Sequence, residues 1–119
     1  MFSSPVCYDS IIYIGGSDNH SVFAFDPVYG LNKWKYNSGQ NIMAEPLILD
    51  STVIFTTGDV YKPNAPGALV RLERETGKLI SKMLLPKLSI SSPIMVEEKV
   101  IFGCHDGLVY AISFLNPME

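Results

Sequence analysis

Three stretches of this chain repeat one another at fixed offsets from a proline. They are "SSPVCYDSIIYIGGSD", "AEPLILDSTVIFTTGD" and "SSPIMVEEKVIFGCHD", anchored on Pro5, Pro46 and Pro93, which stand 41 and 47 residues apart. Seven residues after each proline comes Ile12, Val53 or Val100; nine after comes Ile14, Phe55 or Phe102; thirteen after comes Asp18, Asp59 or Asp106. A period in this range constrains the fold before any other feature does. Each unit is one supersecondary element that buries its apolar face only by stacking on its neighbours.

Each unit resolves into four short runs. The first follows the proline, which has no N–H to give to a ladder and so suits the start of a strand. The second, "IIYIG", "TVIFT" or "KVIFG", is rich in β-branched and aromatic residues. Between them stand "DS", "DS" and "EE", polar pairs at the place a hairpin turns. The third run is "VFAFD" (22–26), "LVRLE" (69–73) or "VYAIS" (109–113), and the fourth is "NKWKY" or "LISKML". The second copy alone inserts "VYKPNAP" (60–66), whose two prolines and asparagine read as a long loop. No segment holds a 3.6-residue period long enough for a helix.

Four antiparallel strands per unit of about 40 residues predict an all-β chain of β-propeller blades. The three copies make an incomplete ring of about two and a half blades. The repeats cover about 3–43, 44–90 and 91–115 within a single partial propeller domain. Asp18, Asp59 and Asp106 fall between the second and third strands. An aspartate there accepts hydrogen bonds from backbone N–H groups two residues on, so all three read as turn formers.

Residues 24–34, "AFDPVYGLNKW", hold Ala24, Asp26, Gly30 and the chain's only tryptophan, Trp34. Their spacing resembles the docking motif of the pyrroloquinoline-quinone-like propellers. That resemblance implies that Trp34 packs on Ala24 and reaches the glycine of a neighbouring blade's motif, here Gly77, preceded by Thr76. The second copy, "RLERETGKLIS", departs from the motif: Arg71 stands for the alanine, Glu73 for the aspartate and Ser81 for the tryptophan. The third keeps Ala111 and has Ser113 for the aspartate.

The runs "ERETGKLISKMLLP" and "SSPIMVEEKVIFGCHDGLVYAI" are similar to the terminal propeller in a branch of the acyl-CoA synthetase family that activates β-alanine or a related acid. That similarity implies a non-catalytic scaffold or protein-interaction module, a fragment of a larger cytoplasmic enzyme. Its partners would then be the remaining blades or other domains of the parent chain. Two alternatives share the repeat: a part of a quinone-dependent dehydrogenase-like enzyme, or of a bacterial outer-membrane assembly propeller. A short protein that closes a ring from several copies is the alternative to a fragment.

Composition narrows the function classes. Nine basic against twelve acidic residues leave a net charge of −3 with no basic stripe, which argues against nucleic acid. No apolar run approaches the ~20 residues of a membrane span. No secretory signal is visible at the N-terminus, and Cys7 and Cys104, each in an apolar stretch, read as reduced buried thiols. Both features point to the cytoplasm. His20 and His105 are the only histidines, too few for a convincing metal site. Cys104 and His105 are neighbours along a strand and point apart. No catalytic, cofactor or metal site is therefore expected. Lys33, Lys35 and Lys78 read as solvated. The inserted loop, with Tyr61, Lys62, Pro63, Asn64 and Pro66, is the candidate protein contact.

Overall fold

The computed structural model describes residues 3–113. Positions 114 and 115 of the third repeat lie outside the described residues. Eleven strands form three antiparallel sheets. Blade 1 is β1 (Val6–Tyr8), β2 (Ile11–Gly16), β3 (Ser21–Asp26) and β4 (Leu31–Asn37), paired in chain order. Blade 2 is β5 (Leu47–Ile48), β6 (Thr52–Thr57), β7 (Gly67–Glu73) and β8 (Leu79–Leu85), again in order. Blade 3 holds β9 (Ile94–Val96), β10 (Lys99–Gly103) and β11 (Val109–Ser113). The three proline-led runs become the first strand of each sheet, and no helix occurs among the described residues.

The first hairpins differ. Asp9 and Ser10 have φ of 51° and 65°, and Glu97 and Glu98 have 46° and 69°. Two successive left-handed residues make the turn whose twist matches that of the strands. Asp50 and Ser51 are not left-handed. Their turn is closed by Leu49 N–H donating to the Thr52 carbonyl at 2.9 Å. The third and fourth strands carry a bulge at one repeat position: the register slips between Ala24 and Phe25 in blade 1 and between Arg71 and Leu72 in blade 2. The slip increases local twist and re-aims the side chain beside it.

Two clusters hold the sheets face to face. One joins Tyr13, Val22, Ala24 and Trp34 of blade 1 to Ile42 and to Val53, Phe55, Ala68, Val70 and Leu72 of blade 2. The other joins Ile54, Leu69 and Leu85 on the opposite face of blade 2 to Val100 and Phe102 of blade 3. Blade 2 is thus covered on both faces. Its third strand, "GALVRLE", is buried at every position but the last, whereas the equivalent β11 alternates exposed and half-buried. Serines two residues before a blade's proline tie it down: Ser3 Oγ accepts from Gly15 N–H and Ser91 Oγ from Gly103 N–H, both at 2.9 Å.

The cysteines do not meet the expectation of two buried thiols. Both are free, Cys7 is exposed, and Cys104 is half-buried with its Sγ 3.4 Å from the Lys87 carbonyl. The reason is geometric. Apolar neighbours in the chain bury a strand residue only if a second sheet covers its face. Cys7 alternates with Val6 and Tyr8, both half-buried, and faces the other way.

Candidate functional site: blade joint and loop face

The joint between blades 1 and 2 is built around Trp34. β4 places it directly opposite Ala24, whose small side chain leaves room for the ring. The indole crosses to the turn after β7. A Cβ added at Gly77 would meet Trp34 Cδ2 at 2.6 Å, so only a glycine admits this approach. Trp34 Nε1–H donates to the Arg74 carbonyl at 2.7 Å, and Tyr13 packs against the ring with centroids 6.1 Å apart.

The turn under the indole is locally fixed. Gly77 has φ of 75° and donates N–H to the Glu73 carbonyl at 2.8 Å; Gly30 has φ of 69° and makes the same bond to Asp26 at 2.9 Å. Asp26 Oδ1 also accepts from Val28 N–H. Thr76 Oγ1 donates to the Glu73 carboxylate and accepts from Lys78 N–H. An added Cβ at Gly30 meets nothing, because no described residue covers that turn.

Arg74 is the residue that sequence reasoning missed. It is 7% exposed although charged. Its Nε–H donates to the Asp50 carbonyl at 2.7 Å and its Nη1 to the Tyr13 hydroxyl at 3.3 Å, while the guanidinium lies 4.8 Å from the Tyr8 ring centroid. Its Nη2 is 3.3 Å from Glu75 and 4.0 Å from Asp9. A buried cation is tolerated when hydrogen bonds and counter-charges surround it. The Tyr13 hydroxyl, accepting from it, favours its charged form. Lys33 bridges to Glu75 at 2.9 Å at the rim, so it is tied across the joint rather than simply solvated; that bond, then the nearby charges, hold the Glu75 carboxyl below its usual range. Arg74 occupies the repeat position of Pro27, so periodicity gives no sign of it. A charge beside a docking glycine is the one local cue.

The same place in blade 2 is rebuilt. Arg71 pairs with Ser81 where Ala24 pairs with Trp34, and Arg71 Nε–H donates to Ser81 Oγ at 3.3 Å. Leu49 and Ile54 stand where Tyr8 and Tyr13 stand in blade 1. With fewer rings, the second joint retains an open cavity of about 320 Å³ lined by Leu49, Ile54 and Arg71 and by Met95 and Glu98.

The opposite end carries the turns. Asp59 Oδ1 accepts from Tyr61 N–H and Asp106 Oδ1 from Leu108 N–H, each two residues on. Asp18 lies in the β2–β3 turn, next to Asn19 and a left-handed His20. The inserted loop folds into two successive turns, with Lys62 N–H on the Asp59 carbonyl and Ala65 N–H on that of Lys62. It is anchored by the Pro63 carbonyl, which accepts from Leu88 N–H, and by the Pro66 carbonyl, which accepts from Gln40 Nε2. Tyr61 projects, 90% exposed, and Lys62 and Asn64 are exposed beside it. His20 and His105 are held by backbone bonds in separate blades. Among the described residues no group of three or more His, Cys, Asp or Glu could hold a metal ion. Trp34 is enclosed in the joint.

No family model matches the chain. Over 84 residues, 71% of this chain, it is 28% identical to the human (Homo sapiens) β-alanine-activating enzyme, of which the match spans 8%. Among solved structures it superposes on BamB from Moraxella catarrhalis with a TM-score of 0.74 and 19% identity, covering 93% of this chain and 33% of that one. A europium-containing methanol dehydrogenase gives 0.69 and 19%, covering 90% and 20%. These likenesses establish a quinoprotein-type propeller fold and carry neither protein's activity to this chain. The chain spans less than a tenth of the curated relatives it matches.

Proposed function

We propose that this chain is a non-catalytic propeller module, a scaffold or protein-docking unit, that serves within a larger cytoplasmic enzyme activating β-alanine or a related acid. One observation carries the scaffold reading: the buried and recurring polar groups are engaged in holding turns and joining blades. Arg74, Glu75, Lys33 and the Trp34 N–H all meet at one inter-blade seam. Catalysis needs groups converging on a reacting atom, and these converge on each other. The likeness to the human β-alanine-activating enzyme supports the choice of parent. The partners in this reading are further blades and neighbouring domains.

Two measurements test it. Mixed with the human enzyme from which the matching segment has been deleted, the chain should bind saturably; absence of binding counts against that parent. Titrated with pyrroloquinoline quinone and calcium, a folded preparation should show no saturable binding tighter than ~10 μM, about −7 kcal/mol. Binding at that strength would replace the scaffold reading with a dehydrogenase-like one.

A further inference from the structure

A pocket of about 300 Å³ opens on the loop face at the seam of blades 1 and 2, walled by His20, Gly39, Gln40, Asn41, Asp59 and Tyr61. Its wall is held from behind. Thr57 Oγ1–H donates to Gln40 Oε1, and Gln40 Nε2 donates to the Pro66 carbonyl. Asn41 Nδ2 donates to the Ser17 carbonyl at 2.8 Å, while its Oδ1 accepts from Val60 N–H at 3.0 Å. Asn41 and Gly58 exchange backbone bonds across the seam.

Several backbone donors of this wall are already engaged. Gly39 N–H goes to Asn37 Oδ1, Gln40 N–H to Ser38 Oγ and Tyr61 N–H to Asp59 Oδ1. Among the described residues, Asp59 Oδ2 and the His20 imidazole make no hydrogen bond. No lysine or arginine is in the wall, and Asp59 brings a carboxylate to it. The exposed Tyr61 ring stands at the rim, where it can lie along an alkyl stem or over a cation.

We propose that this pocket binds a primary ammonium on an alkyl stem, either the lysine side chain of a partner protein or a free alkylamine. The ammonium donates to Asp59 Oδ2, and the stem lies against Tyr61. The site is separate from the Trp34 joint, and the proposal does not depend on which enzyme the module belongs to.

The test is a titration of the 119-residue chain followed by amide chemical shifts. The probes are acetyl-Gly-Lys-Gly-amide, the same peptide with its lysine Nε acetylated, and n-butylamine. Saturable shifts confined to residues 20, 39–41 and 59–61 are expected with the first, the third or both. Tighter binding of the peptide would identify a protein lysine, and tighter binding of butylamine a free amine. The acetylated peptide should not bind. Asp59→Asn keeps the Oδ1 that accepts from Tyr61 N–H, and should weaken binding roughly tenfold or more by removing a charge-assisted bond. Tyr61→Ala, at an exposed position, should weaken it several-fold. Equal binding of the acetylated peptide, no effect of Asp59→Asn, or no saturable shift at millimolar probe would overturn the proposal.

Discussion

Trp34 makes three contacts that no smaller residue could combine. It pairs with Ala24 across the sheet, lies on Gly77 of the next blade and donates its N–H to the Arg74 carbonyl. Trp34→Ala should destabilise the chain by about 3–5 kcal/mol in urea unfolding, from lost burial plus the cavity left. Trp34→Phe keeps part of the packing but leaves the Arg74 carbonyl without its donor, and should cost about 1–3 kcal/mol. A loss below ~1 kcal/mol for the alanine variant would mean that the ring contributes little to the joint. The motif that places Trp34 was legible because its spacing is local. Arg74 was not, because its neighbours Tyr8, Tyr13, Asp9 and Asp50 come from other parts of the chain and its repeat counterpart is Pro27.

At the scale of elements, the repeat disclosed the strands, since each carries its own β-branched core and its own turn. It did not disclose that the three first hairpins differ. Replacing Glu97-Glu98 by Asn-Gly should stabilise blade 3 by about 1 kcal/mol, because both positions are left-handed. The same replacement at Asp50-Ser51 should give no gain, because neither has a positive φ. Thermal unfolding of the two variants side by side checks this.

Burial was legible only where a face is covered, which is why "LVRLE" and "VYAIS" read alike yet only the first is enclosed. Blade 3 instead has a polar clasp. The Tyr110 hydroxyl donates to Asp106 Oδ2, and its ring stacks on Phe102 at 5.4 Å. That hydrogen bond, then burial and the Asp106 charge, push the Tyr110 phenol up to about 12 from its ordinary 10.0. The unfolded chain therefore loses this proton first. The stabilisation is present below pH 10 and is lost as pH rises to about 12. Asp106 is held below its ordinary value mainly by the same bond, so its contribution is lost as pH falls through its folded value. Tyr110→Phe keeps the stack and should flatten the alkaline part of the stability–pH curve; an unchanged alkaline limb would show that the clasp contributes nothing.

On the whole molecule, one sheet is enclosed between two others, and the outer surfaces remain open among the described residues. Val28, Tyr29 and Leu31 near Gly30 are exposed, as are Ile94 and Val96 along β9. In the parent-enzyme reading these are where further blades pack. Blades are joined by an indole laid on a glycine, and a double-mutant cycle measures that joint. Gly77→Ala should cost about 2–5 kcal/mol with Trp34 present, from left-handed strain plus overlap with the ring. In the Trp34→Ala background only the strain remains, about 1–2 kcal/mol. Gly30→Ala, with a similar φ and nothing above it, should cost about 1–2 kcal/mol in both backgrounds. A coupling of about 1–3 kcal/mol between positions 34 and 77, and none between 34 and 30, is the predicted result; Trp34 and Gly77 effects that add within ~0.5 kcal/mol would contradict the joint.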